Sequence, residues 1–149
     1  MRKIAAVFII TMLLGLSACS NNTDTAPKNE LHEINQNVSK SGMVEIITEK
    51  EKYSQDDTII KYTITNNSDE ESAIAGDEHC FTLQFLSNGE WMRVGTKIEH
   101  CWNELALLLP SKQSENREID LEKYFNLPLE KGEYRIAVES LVSNSFEIS

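Results

Sequence analysis

Thr58-Ile59-Ile60-Lys61-Tyr62-Thr63-Ile64-Thr65, followed by Asn66-Asn67-Ser68-Asp69, is the stretch whose reading decides the fold. Ile60, Tyr62 and Ile64 fall on one face, the period of two expected of a strand buried on one side. β-branched and aromatic residues fill the run. The Asn-Asn-Ser-Asp segment ends it with side chains that hydrogen-bond their own backbone and tolerate turns.

The same pattern recurs on both sides. Met43 to Thr48 sets Met43, Glu45 and Ile47 against Val44, Ile46 and Thr48. Cys80–Leu86 and Trp91–Lys97 flank Ser87-Asn88-Gly89-Glu90, and Asn-Gly between apolar runs is the strongest short-range hairpin signal. Past Pro110, Arg117–Leu121 alternates as a strand, and Leu121–Phe125 suits a short helical turn before Pro128. Gly132–Val138 puts Tyr134, Ile136 and Val138 on one face, and Ser145–Ile148 supplies a last short strand. Cys101–Leu109, with Leu105, Leu107, Leu108 and Leu109, reads equally as strand or helix. Seven strands in about 100 residues predict an all-β, immunoglobulin-like antiparallel β-sandwich over residues 43–149. Within it, Trp91 is expected in the core beside Tyr62 and Ile136, and Tyr134 at the strand start where sandwiches place a tyrosine corner.

The N-terminus carries an address. Arg2 and Lys3 lead into an apolar run from Ile4 to Leu16, broken by Thr11 and Gly15. That length suits a signal segment and falls short of the roughly 20 residues needed to span a bilayer. Leu16-Ser17-Ala18-Cys19 resembles the lipobox of bacterial lipoproteins. The resemblance implies cleavage after residue 18, diacylglycerol on the Cys19 thiol, and a mature chain held at the outer face of the cell membrane. The plainer alternative is an ordinary secretory signal with Cys19 as a bystander. From residue 19 to 42 the composition is rich in Asn, Ser, Thr, Lys and Glu, which predicts a flexible tether. Leu31, His32 and Ile34 could instead form a helical turn or an early strand.

The formal charge is −10, from fourteen basic and twenty-four acidic residues. Loss of residues 1–18 removes only Arg2 and Lys3, leaving −12. Such a surface repels phosphate, so nucleic acid is excluded as a partner and a charged partner is expected to be basic.

The β segments also resemble a family of bacterial immunoglobulin-like domains. The matching residues are Ile60 to Ser68, Asn88-Gly89-Glu90-Trp91, Glu118 to Tyr124, and Leu129 to Ile136. The resemblance implies a sandwich in an extracytoplasmic setting and carries no catalytic or ligand residues. One departure is Pro110-Ser111-Lys112, where the family usually has a Pro-Gly turn.

Cys80 and Cys101 are the thiols left after lipidation of Cys19, and in an oxidising compartment such a pair is expected to form a disulfide at the base of the hairpin. His79 and His100 precede them, which on paper makes a two-Cys, two-His zinc set. Neighbours on a strand point to opposite faces, so this set does not converge, and no metal is expected. Asp56-Asp57, Asp69-Glu70-Glu71 and Asp77-Glu78 lack the spacing of a calcium loop. No nucleophile, zinc-protease or phosphate-loop motif occurs, so neither catalysis nor a cofactor is expected. Two roles follow: a membrane-tethered adhesion or assembly module with a protein or envelope partner, or a lipid-anchored inhibitor or sensor of an envelope hydrolase.

Overall fold

The computed structural model describes residues 28–34, 43–75, 79–99 and 106–149. In chain order the strands are β1 (Leu31–His32), β2 (Val44–Thr48), β3 (Lys52–Tyr53), β4 (Ile59–Asn66), β5 (Ser72–Ala75), β6 (Thr82–Ser87), β7 (Glu90–Val94), β8 (Ala106–Leu109), β9 (Ser114–Asp120), β10 (Gly132–Val138), β11 (Leu141–Val142) and β12 (Phe146–Ile148). One helical turn, α1 (Leu121–Tyr124), follows β9, capped by Asp120, whose carboxylate accepts from the Lys123 N–H at 3.0 Å.

These strands build an immunoglobulin-like β-sandwich. One sheet runs β2-β4-β9, all antiparallel, with Ile60 opposite Ile119 and Tyr62 opposite Arg117. The larger sheet runs β1-β7-β6-β10-β12-β3, with β11 paired to β10. The chain changes sheets between β2 and β3, and β3 then pairs parallel to β12. A separate ribbon joins β5 to β8.

The alternation read in β4 decides which atoms are inside. Ile60, Tyr62 and Ile64 are buried while Lys61 is exposed. They join Ile119 from β9 and Leu83, Tyr134, Ile136 and Phe146 from the larger sheet in one cluster. Edge-to-face contact between Tyr53 and Phe146 (centroids 5.2 Å) and tilted contact between Phe85 and Tyr134 (5.0 Å) extend it along the larger sheet.

All seven expected strands are present, as β2, β4, β6, β7, β9, β10 and β12. Five further strands, β1, β3, β5, β8 and β11, have two to four residues each, too short for a pattern of alternation to register. The ambiguous leucine run is strand from Ala106; residues 101–105 lie outside the described set. Leu121–Phe125 winds as expected, with Phe125 N–H donating to the Leu121 carbonyl at 2.9 Å. The Asn88-Gly89 hairpin forms, both residues at positive φ (52° and 85°), with Ser87 paired to Glu90. At Pro110-Ser111-Lys112, in place of a Pro-Gly turn, Lys112 takes a left-handed φ of 58°.

Tyr134 makes the corner: its hydroxyl donates to the Glu130 carbonyl at 2.7 Å. Trp91 does not enter the core. It is half-buried on the outer face of the larger sheet, because the inward positions of this hairpin are Phe85 and Met92, a register pair, and a one-residue offset puts Trp91 on the opposite side.

The expected tether is partly docked. Within residues 19–42, the segment 28–34 packs on the body. Asn29 and Asn126 exchange two hydrogen bonds of 2.8 Å, side chain to backbone, and the Gly95 N–H donates to the Glu30 carbonyl at 2.6 Å. Leu31 and His32 then pair with Val94 and Arg93, realising the early-strand alternative. A side chain at Gly95 would stand 3.0 Å from the Glu30 oxygen, so the close approach depends on glycine.

Candidate functional site

Two polar surfaces stand out. The first is the outer face of the larger sheet. Register carries Arg93 on β7, Gln84 on β6 and Arg135 on β10 across three adjacent strands in one row, with His32 of β1 next to Arg93. The Arg135 guanidinium lies over the Trp91 ring, 4.2 Å from its centroid, and Arg135 Nε donates to Gln84 Oε1 at 2.6 Å. Burial against these neighbours pulls the Arg135 pKa below its ordinary value. Gln84 is fully buried, and its Nε2 has no hydrogen-bond partner among the described residues.

The second surface is a cleft of about 770 Å³ beside α1 and the edge strand β9. Tyr62, Arg117, His79 and Tyr124 are among its lining residues. The Arg117 side chain is 3% exposed and donates through Nε to Glu115 Oε1 at 3.0 Å. Burial pushes the Tyr62 phenol pKa up, and the nearby Arg117 charge offsets part of that rise. The rim balances Lys61, Arg117 and Lys123 against Glu49, Glu118 and Asp120, so it favours neither sign of charge.

The residues singled out from sequence are dispersed. Cys80 is buried, 5% exposed, and disulfide-bonded. Cys101, Cys19, His100, Asp77 and Glu78 lie outside the described residues. His79 is half-buried, with Nδ1 3.0 Å from the Tyr124 hydroxyl, a structural contact between the start of β6 and α1. Asp57 accepts from the Ser54 N–H at 2.7 Å, which with Lys50 holds its carboxyl below the usual range. Asp69 pairs with Lys112 at 2.9 Å. Among the described residues no group of three or more His, Cys, Asp or Glu is placed to hold a metal ion, and no helix is long and apolar enough to cross a membrane. Arg93, Gln84 and Arg135 were not anticipated. The available signal was two arginines at outward mid-strand positions of an acidic chain.

The family profile described as "Bacterial Ig-like domain" matches residues 40–147. No curated protein matches the chain. Among solved structures, the alkylpurine DNA glycosylase AlkC of Pseudomonas fluorescens, bound to DNA containing an abasic site analog, aligns with a TM-score of 0.39 at 10% identity, over 71% of this chain and 30% of that one. A β-glucosidase from Listeria innocua in complex with gluconolactone aligns at 0.38 and 16% identity, over 71% and 16%. The β-glucosidase EmGH1 from Erythrobacter marinus aligns at 0.37 and 16%, over 70% and 15%. The chain thus spans less than a third of the length of these structures.

Proposed function

The chain belongs to the bacterial Ig-like domain family, and from that membership we propose that it is a non-catalytic binding or adhesion module, lipid-anchored through Cys19 at the outer face of the cell membrane. The observation that carries the reading is the family match over residues 40–147 together with a sandwich whose larger sheet offers an outer face to solvent. The anchor is supported by the basic pair, the apolar run and Leu16-Ser17-Ala18-Cys19. Cys80 joined to Cys101 is the pairing that fits an oxidising compartment, and the buried, bonded state of Cys80 supports it.

Docking of residues 28–34 sets the geometry of such an anchor. Eight residues, 20–27, separate the lipidated position from the docked segment.

Membrane fractionation tests the anchor: wild type is expected in the membrane fraction and Cys19→Ser in the soluble one, and equal partition of the two rejects it. A pull-down from envelope extract at low and high salt, read by mass spectrometry, tests the binding role. Salt-sensitive capture of a hydrolase would replace adhesion by the inhibitor role, and capture of nothing would refute a binding module altogether.

A further inference from the structure

We infer that the outer face of β7, β6 and β10 is a docking surface for an acidic segment of a partner protein, with Arg135 and Arg93 receiving its carboxylates and Trp91 its apolar neighbours. The inference rests on the reading of the body as a binding module and names the surface and the chemistry of the partner.

Among the described residues there are three arginines. Arg117 has its carboxylate in Glu115, at 3.0 Å. Neither Arg93 nor Arg135 forms an ion pair among the described residues, in a chain carrying twenty-four acidic side chains. Exposed lysines elsewhere do find partners: Lys28 with Glu130, Lys50 with Asp57, Lys52 with Glu147 and Lys112 with Asp69.

Arg135 is held by two neighbours. The guanidinium rests over the Trp91 ring, and Gln84 Oε1 fixes its Nε. Both partners are neutral, so the group is oriented without losing its charge. The four remaining N–H donors, on the two terminal nitrogens, keep the fork geometry that receives a carboxylate bidentately. Orientation in advance lowers the entropy lost when an anion arrives. Gln84 stands between the two arginines in the same row, fully buried beneath the surface, where it holds Arg135. Two strand spacings, about 9.6 Å, separate the backbones of Arg93 and Arg135, a distance that one extended segment with acidic residues on one face can cover.

Charge decides between anionic partners. With a net charge of −10, the molecule repels a long polyanion or an anionic bilayer at a distance. A few carboxylates on a partner of mixed charge meet the local positive row with far less of that penalty. The overall acidity leads to the expectation of a basic partner, and on this face the local arrangement reverses it.

The test uses the detergent-solubilised full-length protein at low salt. Its probes are a labelled, end-capped peptide alternating Glu with Val, the same peptide with Gln for Glu, and linear polyphosphate. Saturable binding of the Glu peptide is expected, with Kd at least about tenfold weaker for the Gln peptide. Arg135→Gln and Arg93→Gln should each weaken the Glu peptide by about tenfold. Arg135→Lys, which keeps the charge and loses the fork, should fall between Arg135→Gln and wild type. Arg93 is exposed, so its substitution leaves folding intact, and an unchanged melting midpoint verifies this. The idea is overturned if the Glu peptide does not bind, if the Gln peptide binds equally, if both Gln variants bind as wild type does, or if polyphosphate alone binds. Should the peptide fail while envelope extract still yields a salt-sensitive partner, the binding module stands and this surface falls.

Discussion

Asn66 ties together two distant parts of the chain through its side-chain amide. It is fully buried at the end of β4, its amide donating to the carbonyls of Glu70 (2.7 Å), Leu109 (2.9 Å) and Pro110 (3.2 Å). Its carbonyl accepts from the Ser68 N–H and hydroxyl, at 3.0 and 2.6 Å. One residue thereby closes the turn after β4 and ties it to the end of β8. Removing the amide leaves the buried Leu109 carbonyl without its partner, which costs the desolvation of that acceptor as well as the bonds to Glu70 and Pro110. Asn66→Ala is therefore expected to destabilise the fold by about 3 kcal/mol, read from urea denaturation. A loss under 1 kcal/mol would show that water replaces the amide without penalty. The sequence marks Asn66 as a turn former by its type; its reach to Leu109 and Pro110, forty-three and forty-four residues away, depends on where the chain returns.

At the level of elements, short strands are placed by their neighbours. β1 has two residues and gains nothing from its own alternation; it exists because β7 offers an open edge and Gly95 leaves room for the Glu30 carbonyl. Gly95→Val is expected to release residues 28–34 while the sandwich remains folded. Hydrogen exchange at the amides of His32 and Gly95 should accelerate at least about tenfold, with protection in β4 and β10 unchanged. If those two amides stay as slow as in the wild type, the docking does not depend on the space at Gly95. Gly132 is a second place where an element relies on a missing side chain. Its φ is 151°, and a Cβ there would lie 2.6 Å from the Phe85 ring, which packs against Tyr134. Longer elements behave otherwise: β4, β9 and β10 span seven or eight residues, and their alternation alone selects the buried face.

For the whole molecule, buried tyrosines set the response to alkali. Burial raises the pKa of Tyr134, Tyr62 and Tyr53 above the ordinary value near 10. Below the unfolded value all three are neutral in both states, so their contribution is fully present. As pH climbs past about 10, the unfolded chain loses phenolic protons that the folded one keeps, and stability falls until the folded groups ionise. Melting midpoints should therefore hold level from pH 8 to near 10 and drop beyond it. A midpoint unchanged at pH 11.5 would contradict burial of these phenols. Tyr134→Phe, whose ring keeps the packing and loses the hydroxyl bonded to Glu130, should make that drop shallower.

What the sequence by itself determined follows from periodicity and local chemistry. Seven strands, the Asn-Gly hairpin, the Asp120-capped turn and the corner at Tyr134 are each encoded within a few consecutive residues, where alternation and turn preference act without knowledge of the rest of the chain. The tertiary structure alone decided what depends on register between distant strands. It sent Trp91 outward to carry Arg135, brought Arg93 and Gln84 into the same row, and docked residues 28–34 beside β7. The physical reason is the twofold period of a strand: an offset of one residue in pairing exchanges the two faces, and only the assembled sheet sets that offset.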